Sequence, residues 1–399
     1  MTPTQTFETQ EQYVRIAFSA DGTHTAAMSN TTDTLSLFNR THMLWSTHVP
    51  GIHSIAVSEN ASLIAAAATS GLYLFNLQNP TPQLHYDLSY ANPMIALSND
   101  GNTLAYAATS TNQNDIITTR LYLFETENQN PTWHTTLQGT LESLSISGNG
   151  NYTTITTNQP GALHLFSKQQ STPLWTYKFG EQSGAAKLSS DGNHIIATGG
   201  NPTSERSLRV YRFSRQSPQP NYIKIISELP PTPRLSVSSQ GSIFALGFAE
   251  SNRLIFFNLN LPPYGYGPGS VLNITLPSKP TSITMSSEGK YTAVGTDTGI
   301  YIYKYMNNEL SLTKQYTNAN PYITDIALTP SGWHLAATAT KQNNKHSTIY
   351  LFDVQETRNG DIGFWLRITI LAIVVLAVST ASVYVLRRKH KPQKPTNTN

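Results

Sequence analysis

Leu188-Ser-Ser-Asp-Gly-Asn-His-Ile-Ile-Ala-Thr198 decides the fold. An apolar strand ends at Leu188, the chain reverses over Asp-Gly, and a second strand of small apolar residues starts at once. Asp-Gly suits such a reversal because it tolerates positive φ. The same pattern recurs as Phe18-Ser-Ala-Asp-Gly22, Val57-Ser-Glu-Asn-Ala61, Leu97-Ser-Asn-Asp-Gly101 and Ile146-Ser-Gly-Asn-Gly150. It continues as Val237-Ser-Ser-Gln-Gly241, Met285-Ser-Ser-Glu-Gly289 and Leu328-Thr-Pro-Ser-Gly332. The final residues are spaced by 39, 40, 49, 42, 49, 48 and 43 positions. A strand-rich period in the forties indicates propeller blades rather than helical repeats. Ala61 lacks glycine's freedom, so the second turn is expected to differ in type.

Each turn leads into a strand of small residues, such as Leu63-Ile-Ala-Ala-Ala-Ala68. Next comes an alternating aromatic strand: Leu72-Tyr-Leu-Phe-Asn76, Leu121-Tyr-Leu-Phe-Glu125, Leu163-His-Leu-Phe-Ser167 and Ile349-Tyr-Leu-Phe-Asp353 are examples. Alternation favours β structure with one packed face. A fourth strand often carries Trp, as in Leu44-Trp-Ser-Thr47, Thr132-Trp-His-Thr135 and Leu174-Trp-Thr-Tyr177. Four strands in each of eight units make an all-β, eight-bladed β-propeller, with seven blades as the alternative if one unit is misread. The eighth unit has three strands only. Thr4 to Glu11 precede the first unit without another role, and they are expected to supply the missing outer strand, because pairing the two termini removes an open edge.

Ser-x-Asp-Gly followed by small apolar residues resembles the repeats of WD40-like and related surface propellers. The Leu174-Trp-Thr-Tyr177 type of fourth strand looks like the quinoprotein-like repeat, whose propellers often have eight blades. The resemblance spans about residues 4 to 354. It departs from standard WD40 repeats in having no Trp-Asp dipeptide. Membership of the quinoprotein dehydrogenases would imply adjacent cysteines, a calcium ion and an acidic base; this chain contains no cysteine.

Composition narrows the function classes. Charged residues are 12% of the chain, about half the usual share, while aromatics are 10%. That is a folded domain with an uncharged polar surface, not a disordered one. The net charge of +3 comes largely from the last 13 residues, so no basic face is left for nucleic acid. Without cysteine, disulfides, thiolate metal sites and Cys nucleophiles are excluded. Among the histidines, His48 and His53 are close in sequence but have no metal-ligand spacing with acids. No Gly-x-Ser-x-Gly elbow, P-loop or dinucleotide fingerprint occurs. The expectation is a protein without catalytic, cofactor-binding or metal-binding residues.

Ile368 to Leu386 is a run of 19 residues without a charge. As a helix it reaches about 28 Å, close to the hydrocarbon thickness of a bilayer. Trp365 and Arg367 mark one end, Tyr384 lies near the other, and Arg387 and Arg388 open a basic tail. The expected organisation is a propeller over 1–354, a juxtamembrane linker over 355–367, a transmembrane helix over 368–386 and a basic tail over 387–399. Basic residues gather on the cytoplasmic side of a span, which places the propeller outside the cytoplasm. Met1 to Gln12 carries no signal-peptide pattern, so a tail-anchored propeller in the cytosol stays open. Five glycosylation sequons, at Asn30, Asn39, Asn60, Asn151 and Asn273, do not decide between them. Ser379, Thr380 and Ser382 are small polar residues suited to packing against a second transmembrane helix.

The functional reading is a membrane-anchored, non-enzymatic scaffold for a protein or glycan partner. Chain direction turns the Asp-Gly face toward the bilayer and the opposite face away from it. Longer inserts on that opposite face carry Asp115, Glu205, Arg206, Lys341, Lys345 and His346, candidate partner-binding residues. A second candidate is Leu261-Pro-Pro-Tyr-Gly-Tyr-Gly-Pro-Gly-Ser270, where Tyr264 and Tyr266 suit an adhesive loop or an interface. Two other classes are a tail-anchored cytosolic propeller, similar to membrane-bound exchange factors and coat adaptors of vesicle traffic, and a quinoprotein- or lactonase-like enzyme. The last would need a channel metal held by acids such as Asp115 or Asp325.

Overall fold

Each repeat serine closes its own turn. In the fifth unit Ser189 Oγ donates to Asp191 Oδ1 (2.5 Å) and accepts from the His194 N–H (2.9 Å). The Gly192 N–H bonds back to the Ser189 carbonyl (2.9 Å), and Asp191 Oδ1 also accepts from the Asn193 N–H (3.0 Å). Side chain and backbone thus satisfy one another without water, which is why Ser and Asp recur at these positions. Burial would raise the pKa of Asp191, but these hydrogen bonds outweigh it and hold the carboxylate below its usual range; Asp21 and Asp100 behave alike.

The computed structural model describes residues 1–111, 114–180, 182–201, 207–226, 233–260, 270–317, 321–340 and 346–354. Their strands form eight antiparallel four-stranded sheets. The first blade runs Arg15–Phe18, His24–Ser29, Thr34–Asn39 and Met43–His48 from the axis outward. Eight sheets remove the seven-bladed alternative. The eighth blade contains Tyr322–Leu328, His334–Thr340 and Ser347–Asp353, and its outer strand is Gln5–Glu8. That strand is antiparallel, with Gln5 opposite Leu351 and Glu8 opposite Thr348, as the incomplete last repeat requires. Residues Met1–Val354 form one compact unit. Positions 355–399, with the expected linker, transmembrane helix and basic tail, lie outside the described residues. Among the described residues no helix is long and apolar enough to cross a membrane.

The core lies between blades. Ala26, Leu35 and Leu37 of the first blade pack with Ile64, Ala66 and Phe75 of the second, and the other seams repeat this. Small second-strand residues let neighbouring sheets approach, and third-strand aromatics fill the wider outer space. The fourth-strand tryptophans latch one blade to the next. Trp45, Trp133 and Trp175 lie 5.6, 5.6 and 5.7 Å from Phe75, Phe166 and Phe213. Their Nε1–H groups donate to the carbonyls of Leu77, Lys168 and Arg215 at 3.0, 2.8 and 2.7 Å. The indole fits this place because it couples a large apolar body to one donor.

Ala61 corrects an expectation. Its turn does not differ in type: Ala61 has φ 55°, beside 71° for Gly22, and its N–H bonds to Ser58 O (2.9 Å) as Gly22 N–H does to Ser19 O (3.0 Å). Ser58 Oγ and Asn60 Oδ1 hold the loop from both sides, at 3.1 Å from the Leu63 N–H and 3.0 Å from the Ser62 N–H, so the local network overrides the residue's own preference.

A second network ties the blades around the axis. The residue after each repeat serine donates its N–H to the equivalent carbonyl of the following blade. The series runs from Ala20 to Glu59 (2.9 Å) and on through Asn99, Gly148, Ser190, Ser239 and Ser287 to Pro330 (2.8 Å). Proline has no N–H, so the eighth link, between the last blade and the first, cannot form. Other groups secure that seam. Asp353 of the last blade accepts from Arg40 of the first at 2.7 Å and lies 2.8 Å from His334 Nδ1. Asp325 Oδ2 accepts the Ile16 N–H at 3.1 Å.

Candidate functional site

The propeller has two unlike faces. One carries the eight turns between first and second strands, together with the connections between third and fourth strands, which run from two residues after Met306 to eleven after Asn258. The opposite face carries the connections between second and third strands, which also vary in length: Thr69 and Ser70 alone join Ala68 to Gly71, whereas Thr111 and Ile117 bound a longer insert. Asp115 lies in that insert, exposed, with φ 58°. His346 is exposed in the corresponding connection of the eighth blade, its Nδ1 3.1 Å from the Gln10 carbonyl. The two share a face but belong to the third and eighth blades, so they do not form one site. Glu205, Arg206, Lys341, Lys345, Tyr264 and Tyr266 lie outside the described residues, as do Trp365, Arg367, Tyr384, Arg387 and Arg388. The strands flanking 261–269, ending at Asn258 and starting at Ser270, meet the turn-bearing face.

The axis of the ring holds Asp325, named above as a candidate channel acid, together with basic groups that sequence reasoning passed over. Inner strands align on the residue before the repeat serine, and three positions earlier four of them carry Arg15, Ser54, Arg234 and Asp325. Lys187 lies two positions further along its strand, in the fifth blade. Arg15, Lys187 and Arg234 are exposed although they belong to the innermost strands, so they face the channel. Lys187 meets solvent there but is surrounded by protein. That desolvation lowers its pKa from the usual lysine value, and the charge of Arg15 lowers it further. Blades one and five stand opposite in a ring of eight, so this coupling acts across the channel. The signal was present in the sequence: a lone charge inside an otherwise uncharged strand, as in Ala185-Ala-Lys-Leu188.

Asp325 is fully committed. Besides the Ile16 N–H, its carboxylate accepts from Ser282 Oγ (2.6 Å) and from its own following N–H at Ile326 (3.0 Å). Burial raises its pKa, and Ser282, Arg15 and the two backbone donors work against that rise. It bridges blades seven, eight and one and does not meet Asp115. No group of three His, Cys, Asp or Glu side chains suited to a metal ion exists among the described residues.

The channel changes character along its length. Toward the face opposite the serine turns, a cavity of about 440 Å³ is lined by Arg15, His53, Arg234, Lys279 and Asp297 among others. Toward the turns, a cavity of about 320 Å³ is ringed by the apolar residues that precede each repeat serine, from Phe18 in the first blade to Leu328 in the eighth, and by polar groups that include Glu59, Asn99, Ser190, Ser239 and Ser287. The channel is therefore basic at one end and polar, without a basic side chain, at the other.

No protein-family model matches the sequence, and no curated protein matches it. Solved structures do. A chain of the mitotic checkpoint complex superposes with TM-score 0.57 at 14% identity, over 89% of this chain and 92% of that one. The Cps50 (Swd1) β-propeller domain of Myceliophteria thermophila gives 0.55 at 12% identity, over 77% and 99%. Hydrazine synthase of Kuenenia stuttgartiensis gives 0.55 at 11%, over 77% and 96%. At such identities the likeness is one of fold, the β-propeller, which in this chain has eight blades.

Proposed function

We propose that the chain is a non-enzymatic interaction scaffold held at a membrane, with the face opposite the serine turns reading a protein or glycan partner. The connections between second and third strands carry this reading: they run from two residues in the second blade to six in the eighth, and insertions there leave the blade hydrogen bonds untouched. The apolar run 368–386 supports anchorage in a lipid bilayer, and the cluster beginning Arg387-Arg388 supports a cytoplasmic tail with the propeller outside. Only the 13 positions 355–367 separate Val354 from that run, which favours orienting the turn-bearing face to the bilayer. Small polar residues at Ser379, Thr380 and Ser382 suit a second transmembrane helix.

Photo-crosslinking in native membranes tests it. A crosslinking residue at Asp115 or His346 is expected to capture a partner, and one at Asn102, on the turn-bearing face, is not. Adducts from Asn102 alone overturn the assignment of faces.

A further inference from the structure

We infer that the channel mouth opposite the serine turns is a binding site for a compact multivalent anion bearing phosphate or carboxylate groups, with pyrophosphate as its simplest representative. Three cationic side chains line it from separate blades: Arg15 from the first, Arg234 from the sixth and Lys279 from the connection into the seventh; a fourth, Lys187 of the fifth blade, faces the channel deeper in, next to Leu188. None of the four side chains has a hydrogen bond or ion pair among the described residues. The nearby acids form no ion pair with them: Asp325 attracts Arg15 but gives its carboxylate to three other donors, and Asp297 accepts the Lys279 backbone N–H at 3.1 Å instead of pairing with its ammonium.

Unpaired like charges inside a protein-walled channel repel one another more than the same charges on an open surface. Lys187 senses Arg15 from the far side of the ring. An anion placed between them converts that repulsion into attraction, and a low-dielectric wall focuses the field on the site. Arg15 offsets part of the burial of Asp325, but Lys187 and Arg234 have no such role among the described residues, on strands whose neighbours are Ile, Ala, Leu and Val. Size follows from the surroundings. Arg15, Arg234 and Lys279 line a cavity of about 440 Å³ with Lys187 deeper in the channel, whereas the turn-side end is lined by apolar residues, serines and Glu59, without a basic side chain. A small anion of two or more charges fits the basic end; an extended acidic chain threading the ring would meet no cation beyond it.

This inference stands apart from the membrane reading, because it concerns the channel whichever side of a bilayer the propeller occupies. The test is calorimetric titration of the full chain in detergent with pyrophosphate at low ionic strength. One saturable site is expected, weakened about tenfold or more by Arg15→Gln and by Lys187→Met, and unchanged by Lys224→Gln on an exposed outer strand. Arg234→Gln supplies an independent variant should either of the others melt early. Absence of saturable binding overturns the proposal. So does wild-type affinity in Lys187→Met and Arg234→Gln, or equal affinity for nitrate, or tighter binding of a Glu-rich peptide than of pyrophosphate.

Discussion

Replacing Gly150 by Ala and, separately, Ala61 by Gly separates two reasons for the repeat glycine. The first is backbone conformation: Gly150 has φ 70° and Ala61 has φ 55°. An L-residue there costs about 1–2 kcal/mol, offset by about 0.4–1 kcal/mol because alanine restricts the unfolded chain. The second is clearance between blades. A Cβ on Gly150 would stand 2.6 Å from both Cβ and Oγ1 of Thr103 and 3.3 Å from Ser98 Cβ, all in the preceding blade. Thr103 is a buried second-strand residue and cannot swing away, so overpacking adds about 1–3 kcal/mol. Gly150→Ala is therefore expected to cost about 2–4 kcal/mol. Ala61→Gly relieves strain but loses a fully buried methyl, worth about 0.8 kcal/mol, and loosens the unfolded chain; the net change is expected to stay within about 1 kcal/mol. Urea unfolding followed by tryptophan fluorescence reads both. If Gly150→Ala costs no more than Ala61→Gly changes, clearance between blades is not what selects glycine, and the packing argument fails.

Further outcomes follow from other contacts. Trp133→Phe keeps a ring against Phe166 but loses the bond to the Lys168 carbonyl, and should cost about 1 kcal/mol, whereas Trp133→Ala should cost about 3–5 kcal/mol; equal losses would remove the latch as a distinct contribution. Burial lowers the pKa of His164 to about 4, below the unfolded value of about 6.5. The unfolded chain then binds a proton that the folded chain refuses, so stability should fall as pH drops through about 6.5 and level off near 4. His164→Gln, still able to bond Thr176 Oγ1, should flatten that slope in pH-resolved melting curves, and an unchanged slope refutes the assignment.

The architecture was legible because its signals are local and repeated. Ser and Asp-Gly recur with the hydrogen bonds that need them, and a three-strand eighth repeat pointed to Gln5–Glu8 as its partner. Ala61 was misjudged because residue preference is a weaker force than the Ser58 and Asn60 network around it. The channel charges were not legible as a group. Arg15, Lys187 and Arg234 are separated by well over a hundred positions end to end, and only ring closure places them around one axis. The broken link at Pro330 likewise carries meaning only once its position is seen to be the eighth in a circle of backbone donors, the one that proline cannot fill.

The membrane-held scaffold outside the cytoplasm is the central claim, and a chain without cysteine allows a direct test. Single variants Lys224→Cys, exposed on an outer strand of the propeller, and Thr396→Cys, in the basic tail, are treated in intact cells with a membrane-impermeant maleimide. The account predicts labelling of the Lys224→Cys protein at once and of the Thr396→Cys protein only after permeabilisation. The reverse pattern would contradict it and place the propeller in the cytosol.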